Sequence, residues 1–513
     1  MHHRGTKWCM LRGLNRGNGR CKLAAAGRLD ALRRFSVRPL SDVRARAFDV
    51  WQEGGETDKL LTAFVCIQDD GKPLVRATHE EKTSLAKAAK DGVMNIVDHL
   101  LPKDYKRSVG PNYLGYVKWT MAAGMVGTMS GVLSMQSLLA AVGLGAGAIP
   151  TAAALNWVLK DGLGQLGGVL FASVINQRFD AEPRRWRFKS AVILDLSILI
   201  EVLTPCFPQH FLLMATVANI GKNVGWLSAS ATRAGIHRSF MRVENLADIT
   251  GKAGSQTIAT SVVGTGLGIG LSSWVGADTS TIFMGAVALS ALHLGCTYKA
   301  LETVTIRSLN LQRAWLAIRP AIKHSFENEA VPSLCIETQR ILRPEEVCKI
   351  EKILHLGKLS SRRHSVSILE QLDESFTNGR NKQPGLRIGP PVEVAFKTQG
   401  ELVDAIDIAL EMGEKHLLSV SREDSNINLL FLTDATSTDI YRGFLHAALT
   451  YKLLCLTGTE WHSNGSLVGT TRKYICEETL VRVMEELAQS GWDVENLFFE
   501  PFRTRIKVKA KNT

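Results

Sequence analysis

The longest apolar stretch of the chain covers residues 119–159, which include no Asp, Glu, Lys or Arg. A transmembrane helix needs roughly 20 apolar residues, so this stretch is too long for a single simple span. Three glycines within residues 143–147 precede Pro150. This order predicts a break between two helices, because glycine commonly ends a helix and proline suits the first turn of the next one. The second helix is then expected over residues 151–175.

Further apolar segments, each of which predicts a helix, follow a polar elbow at residues 178–187. They cover residues 191–204, 211–220, 257–275 and 281–296. The segment 211–220 is expected to end at residues 221–222. Small residues recur along the apolar helices, with Gly-x-x-x-Gly spacing within residues 127–131 and 264–268. Such spacing indicates helices whose backbones approach closely.

Shorter patterns flank the apolar segments. Residues 47–77 are expected to form short strands with a hairpin turn near 69–72, and residues 83–101 a helix. The C-terminal part predicts strands at residues 417–420 and 428–432 and amphipathic helices at residues 438–454 and 477–490.

These patterns together predict a mainly α protein, with a Gly- and Ala-rich, membrane-associated helical core and a small α+β C-terminal domain. The expected regions are a transit peptide or disordered leader (1–46), a strand–helix segment (47–100), the helical core (101–318), a helical and linker region (319–392) and the α+β domain (393–513).

The net charge of +12 is concentrated in the leader. Residues 1–48 hold 12 basic and two acidic side chains, which leaves a charge of +2 for the rest of the chain. This near-neutral body argues against a nucleic-acid partner. An Arg-rich leader with little acid is typical of an organelle transit peptide, and its few serines favour a mitochondrion over a plastid. A basic tail without an address is the alternative.

Known catalytic motifs are missing from the chain, including the Ser-His-Asp, HExxH, P-loop and kinase patterns. The nine cysteines are scattered singly, without the close Cys or His spacing that structural zinc needs. We therefore expect no catalytic residues and no metal site.

A dinucleotide-binding pattern, Gly162-x-Gly164-x-x-Gly167, follows the apolar stretch. In nucleotide-binding folds this pattern comes directly after a β-strand, whereas here it comes after a helical run. We therefore interpret the three glycines as helix-packing positions.

Lys160 and Asp161 are the first charged residues after the apolar stretch. A charge in such surroundings needs a partner or access to water. Two interpretations stay open. On the first, the pair contacts a ligand or supplies a Schiff-base lysine. On the second, it is a structural ion pair or two helix-end charges near an interface.

Two polar clusters accompany the apolar helices. Asp248, Lys252 and Gln256 share one helix face, and Asn245 joins them one turn earlier. This strip either lines a cavity between apolar helices or faces solvent.

Residues 184–189 form a basic cluster around a tryptophan, which suits an anionic membrane surface or a protein partner, with a solvent-exposed loop as the alternative.

Ordered short matches along the core resemble the root UV-B sensitive (RUS) protein family. They cover residues 101–102, 113–119, 156–164, 179–180, 186–187, 203–208, 231–233, 245–256 and 309–313. The resemblance spans roughly residues 100–315 and is weaker near Gly491 and Trp492.

The resemblance implies an α-helical, membrane-associated protein without an accepted catalytic residue. It implies roles in seedling development, the UV-B response and vitamin B6 homeostasis. It favours a plastid membrane, with the mitochondrion as the alternative, and another RUS-family protein as partner.

Three functional hypotheses follow. The first is a non-enzymatic, membrane-associated regulatory or scaffold protein. The second is a protein or enzyme that binds pyridoxal phosphate through Lys160 or Lys252, for which Asp161 is a further candidate contact. The third is a small-molecule transporter whose path is lined by Asp248, Lys252 and Gln256.

Overall fold

Two compact units make up the chain, residues 1–96 and 97–513. The computed structural model describes residues 44–51, 60–69, 72–78, 99–143, 151–175, 178–325, 333–353, 385–421, 426–457, 464–499 and 505–508. Residues 1–43 of the predicted leader and residues 83–98 of the predicted helix lie outside the described residues, as does most of the predicted linker.

An antiparallel sheet forms the described part of the first unit. Its strands are β1 (Arg44–Trp51), β2 (Leu60–Asp69) and β3 (Lys72–Thr78), with β2 in the centre. The pairing of Asp69 with Lys72 closes the β2–β3 ladder, so the predicted hairpin is confirmed together with the predicted strands.

The second unit opens with the helical core. Its described helices are α1 (Tyr105–Ser108), α2 (Tyr113–Val142), α3 (Thr151–Ile175), α4 (Arg178–Ala181), α5 (Pro183–Leu203), α6 (Phe211–Phe240), α7 (Leu246–Val275) and α8 (Thr279–Glu302). Gly143 follows α2 with a φ of 74°, a left-handed conformation that glycine adopts without steric cost. Because α3 starts at Thr151, both the predicted break and the second predicted helix are confirmed.

Consecutive long helices run in opposite directions. Gly264 and Gly268 of α7 lie against Met125 and Val132 of α2 in the same order along both helices, so α7 and α2 are parallel. The order of contacting residues likewise shows that α5 is parallel to α2 and that α3 is parallel to α6. It also shows that α6 is antiparallel to α5 and that α8 is antiparallel to α2.

One end of the core therefore holds the starts of α2, α5 and α7, at Tyr113, Pro183 and Leu246, and we name it the basal end. The opposite end holds the ends of α2 and α5, at Val142 and Leu203, and we name it the distal end.

Two predicted boundaries in the core are wrong. The polar elbow ends earlier than expected, since α5 already begins at Pro183, where the fixed φ of proline suits a first helical turn. Helix α6 does not end at residues 221–222. Gly221 instead gives α5 room to approach at Ser197, and Lys222 pairs with Glu201 of α5.

The C-terminal region is α+β. Its elements are β4 (Ser308–Asn310), α9 (Leu311–Ile318), β5 (Ile322–Ser325), β6 (Ser333–Ile336), α10 (Pro344–Ile350), β7 (Leu386–Ile388), α11 (Val392–Ala395), α12 (Gln399–Glu411), β8 (His416–Val420), β9 (Ile427–Leu432), α13 (Ser437–Thr457), α14 (Asn464–Arg472), α15 (Glu477–Gln489), β10 (Asp493–Phe498) and β11 (Arg505–Ile506).

Strand β9 is the centre of the largest C-terminal sheet. It pairs antiparallel with β8 and parallel with β7 and β11. Two smaller ladders join β4 to β10 and β5 to β6. The two predicted strands and the two predicted amphipathic helices of this region are confirmed by β8, β9, α13 and α15. The predicted fold class, a mainly α chain with a helical core and a small α+β C-terminal region, is confirmed as well.

A buried ion cluster joins the helical core to the C-terminal region. Glu351 accepts hydrogen bonds from Arg184 at 2.8 Å and from Arg313 at 3.0 Å. Arg184 also donates to the carbonyl of Leu301, and Arg313 donates to those of Ser308 and Ala181. Both guanidinium groups therefore bridge elements that are far apart in sequence.

Candidate functional site

Three side chains from three helices form a polar cluster deep in the apolar core. They are Ser134 of α2, Glu201 of α5 and Lys222 of α6. The Ser134 hydroxyl and the Lys222 ammonium both donate to the same Oε2 oxygen of Glu201. Glu201 is 1% exposed, whereas the Lys222 side chain is 26% exposed. The cluster therefore holds a buried carboxylate whose cationic partner reaches the surface of the bundle.

A second buried pair lies nearer the basal end. Nδ1 of His293 on α8 lies 2.9 Å from both carboxylate oxygens of Asp195 on α5. Gly127 of α2 leaves space beside the other ring nitrogen of His293. The sequence did contain a signal for both pairs, because Asp195 and Glu201 are the only charged residues within 190–221.

Lys160 and Asp161 form an ion pair at the start of the glycine pattern. Nζ of Lys160 lies 2.5 Å from Oδ1 of Asp161 and 4.6 Å from the ring centre of Trp157. Asn219 of α6 donates to the carbonyl of Lys160 and to Oδ1 of Asp161. The ammonium group is thus held by a carboxylate and an aromatic ring of its own helix. The two hydrogen bonds from Asn219 join this part of α3 to α6.

The pattern Gly162-x-Gly164-x-x-Gly167 lies inside α3, and the helix-packing interpretation is confirmed for Gly164 and Gly167 but not for Gly162. A Cβ atom added at Gly164 would lie 2.7 Å from Cγ of Asn219, and one added at Gly167 would lie 2.7 Å from Ile220. Gly162 has no neighbouring atom within 4 Å of such a position.

We expect Gly164→Ala to lower the free energy of unfolding by about 1–3 kcal/mol, because overpacking forces the two helices apart. Gly162→Ala is the matched control, and its higher helix propensity is expected to leave stability unchanged or to raise it by up to about 1 kcal/mol. Thermal unfolding of both purified variants measures the difference. Equal losses at the two positions would contradict the packing role.

The strip Asn245, Asp248, Lys252 and Gln256 holds the chain segment that leads into α2. Asp248 accepts a hydrogen bond from the backbone N–H of Lys103 at 2.8 Å. Lys252 and Gln256 donate to the backbone carbonyls of residues 99 and 100, and Asn245 to that of residue 108. These contacts give the strip a structural role and do not favour its use as a transport path.

The predicted basic cluster is largely engaged within the protein. Arg184 belongs to the buried ion cluster, Arg185 pairs with Glu182, and Lys189 lies 4.3 Å from the ring centre of Trp186. Arg187 donates to the hydroxyl of Ser190. The arrangement does not form the open basic surface that the sequence allowed.

A buried histidine pair lies in the C-terminal region beside a carboxylate, a combination that could hold a metal ion: Glu414, His416 and His446. His446 donates through Nε2 to the carbonyl of Val468, so its Nδ1 accepts from Nε2 of His416 at 3.0 Å. Burial lowers the pKa of His446 to about 4 and that of His416 well below its ordinary value, so both rings are neutral.

The carboxylate of this group already has a cationic partner. Arg472 donates to both oxygens of Glu414 at 3.1 and 3.2 Å. A divalent cation would have to share this carboxylate with a guanidinium group in a buried setting, which electrostatics disfavours. We therefore interpret the group as a structural hydrogen-bond network.

Three described helices, α2, α7 and α8, are long and apolar enough to cross a membrane by length and composition. Large apolar side chains on the outer faces of the bundle are strongly exposed, with Leu170 at 69%, Ile258 at 68% and Trp274 at 84%. Few of the residues in the apolar part of α7 are buried within the chain. The fold and the buried charges define a helical-core protein with an extensive apolar outer surface.

Comparison with known proteins identifies the family. The "Vitamin B6 photo-protection and homoeostasis domain" matches residues 86–325. The chain is 33% identical to "Protein root UVB sensitive 2, chloroplastic" of Arabidopsis thaliana over 82% of each chain. It is 24% identical to "Protein root UVB sensitive 3" of the same plant, over 78% of this chain and 83% of the relative.

A relative outside plants matches a shorter part. The chain is 30% identical to "RUS family member 1" of Dictyostelium discoideum, over 54% of this chain and 51% of the relative. The chain belongs to the root UVB sensitive family. No solved structure matches it.

Proposed function

We propose that the chain is an integral membrane protein that acts as a non-enzymatic scaffold or regulator in vitamin B6 homeostasis and the UV-B response. The observation that carries the membrane assignment is the apolar outer surface of the core. Leu170 of α3 and Ile258 of α7 are among many large apolar side chains on outer helix faces that are more than half exposed. A helix of a water-soluble bundle carries polar residues on its outer face.

Lipid contact removes the energetic penalty of this surface. Exposing apolar area to water costs roughly 25 cal/mol per Å², so helix faces of this length would be strongly unfavourable in water. The backbone groups of the long helices are satisfied within each helix, as a bilayer requires. The long helices also alternate in direction, which suits repeated crossing of one bilayer.

The non-enzymatic part of the proposal is supported by the contacts of the candidate lysines. The amine of Lys160 is held by Asp161, and that of Lys252 donates to the carbonyl of residue 99. A Schiff-base lysine needs an amine that is available as a nucleophile. Neither contact favours a covalent bond to pyridoxal phosphate, so the geometry supports the scaffold hypothesis better.

We further propose a plastid membrane as the location and another protein of the same family as the partner. The location is supported by the relative that is named chloroplastic. The Arg-rich leader suits import into an organelle, although its few serines favour a mitochondrion. Import of a fusion of residues 1–46 to a fluorescent protein would test it, and accumulation in mitochondria would contradict it.

We expect the full chain to stay in the membrane pellet when organelle membranes are extracted with alkaline carbonate. Lipid-facing helices resist such extraction, whereas proteins held by charge alone are released. A peripheral protein of the same membrane serves as the control for complete extraction. Recovery of the chain in the supernatant with that control would overturn the integral assignment.

A second candidate function is transport of a small polar molecule, and the cluster Ser134–Glu201–Lys222 favours it. Ionisable residues at membrane depth are costly and commonly mark substrate paths. The Lys222 side chain is 26% exposed, so the cluster is not fully enclosed by the chain. Uptake of labelled pyridoxal into liposomes that contain the purified chain measures this activity.

A further inference from the structure

Lysine and arginine residues are distributed very unequally between the two ends of the helical core. Residues 119–159, 190–221 and 253–298 contain none. These three ranges include the chain between α2 and α3, α5 and α6, and α7 and α8, at residues 143–150, 204–210 and 276–278, of which 144–150 lie outside the described residues. We name these three connections the distal turns. The only Asp, Glu, Lys or Arg residue in those distal turns is Asp278.

The basal end carries the cations. The exposed basic side chains there include Lys103, Lys106, Arg107, Lys118, Arg238 and Arg242. They lie on the segment that enters α2, on the first turns of α2 and at the end of α6. The C-terminal region is attached at the same end, because Asn310 and Arg313 bond the carbonyl of Ala181.

The two lysines nearest the middle of the core do not weaken this asymmetry. Lys160 is paired with Asp161 and Lys222 with Glu201, so each contributes a neutral ion pair. Aromatic side chains mark the distal end instead, since Trp274 and Phe207 are 84% and 48% exposed. Aromatic residues of this kind favour the level of the lipid headgroups.

We propose that the basal end binds the anionic headgroups of the leaflet on the side from which the chain is inserted, so that the C-terminal region stays on that side and the distal turns cross to the other. This inference rests on the integral membrane assignment proposed above. Segments rich in Lys and Arg are retained on the side of insertion. Each such residue close to an anionic surface adds attraction of roughly 1 kcal/mol.

Two native cysteines report on the two sides without any substitution. Cys206 lies exposed in the distal turn after α5, and Cys476 lies exposed just before α15 in the C-terminal region. Contacts with the side chain and backbone of Thr479 lower the pKa of the Cys476 thiol, which favours its reaction with maleimides.

The test uses the full chain expressed in a bacterium, whose insertion side is the cytoplasm. A membrane-impermeant maleimide is applied to spheroplasts and to inverted inner-membrane vesicles, and labelling is read by peptide mass spectrometry. We expect Cys206 to be labelled in spheroplasts and protected in inverted vesicles, and Cys476 to show the opposite. Detergent should make both thiols reactive and so confirms that each one can be labelled.

The opposite pattern, or labelling of both cysteines from one side, would overturn the orientation. Carbonate extraction of the same membranes separates this failure from that of the membrane assignment itself. A chain that resists extraction with reversed labelling is integral but inverted, whereas a chain that is released is not integral.

Charged substitutions at the distal end give a second test of the proposed orientation. The double change Gln209→Lys and Ser280→Lys places cations on an exposed position of the turn after α5 and on one in the first turn of α8, both at the distal end. It is expected to reduce the protection of Cys206 in inverted vesicles. The matched control, Gln209→Glu with Ser280→Glu, should leave labelling as in the wild type, because acidic residues contribute little to orientation. Equal effects of both pairs would argue against headgroup charge as the cause.

Discussion

Replacement of Glu351 by glutamine is expected to lower the free energy of unfolding by about 3–5 kcal/mol, because it leaves two buried guanidinium groups without an anion. Arg184 and Arg313 both bond this carboxylate, and Arg313 is 1% exposed. Their remaining hydrogen bonds go to backbone carbonyls and, for Arg313, also to the hydroxyl of Ser308, and these neutral groups cannot neutralise a charge. We therefore expect the loss of stability to weaken the contact between the helical core and the C-terminal region.

Unfolding of the detergent-solubilised variant, followed by circular dichroism, measures this effect. Glu302→Gln is the matched control, since Glu302 pairs with Lys299 at 2.9 Å on the exposed end of α8. Exposed pairs contribute about 0–1 kcal/mol, so the control should behave almost as the wild type. If Glu351→Gln fails to fold, Glu351→Asp keeps the charge and should recover part of the stability. A loss at Glu351 no larger than that at Glu302 would contradict the role of the cluster.

Local patterns predicted much of the helical core, because each signal lies next in sequence to the feature that it determines. Gly143 and Pro150 lie beside the break that they produce, and α3 begins and ends where the pattern placed it. The strands β8 and β9 are short segments rich in Leu, Ile and Val, and such segments are typical of strands that are buried on both faces, as both of these are. In each case the sequence neighbours alone define the element.

Partners that are distant in sequence were not predictable in the same way. The shared face of Asp248, Lys252 and Gln256 followed from helical periodicity, but its partner, the backbone at residues 99–103, carries no sequence signal. The predicted end of the apolar segment at residues 221–222 was wrong for the same reason. The carboxylate of Glu201, which pairs with Lys222 and so stabilises its charge inside α6, lies 21 positions away in the sequence.

The same pair of residues gives the sharpest test of the buried polar cluster. We expect Glu201→Gln and Lys222→Met each to lower the free energy of unfolding, with a loss of about 3–5 kcal/mol for the variant that leaves Glu201 without its cation. Glu201 is the more deeply buried partner, and among the described residues Ser134 is the one other side chain that bonds its carboxylate. Unfolding in detergent of both single variants and of the double variant measures the coupling between the two charges.

The double variant Glu201→Gln with Lys222→Met should be more stable than Lys222→Met alone, because no unpaired charge remains in the apolar core. Strictly additive losses would show that the two charges do not interact. Stability and activity can then be separated. If the cluster only holds α2, α5 and α6 together, the folded double variant should keep the membrane behaviour and any pyridoxal uptake of the wild type. If the charges bind a solute on its way through the bundle, uptake should be lost although the fold is retained, and the Lys299→Met, Glu302→Gln control should transport normally.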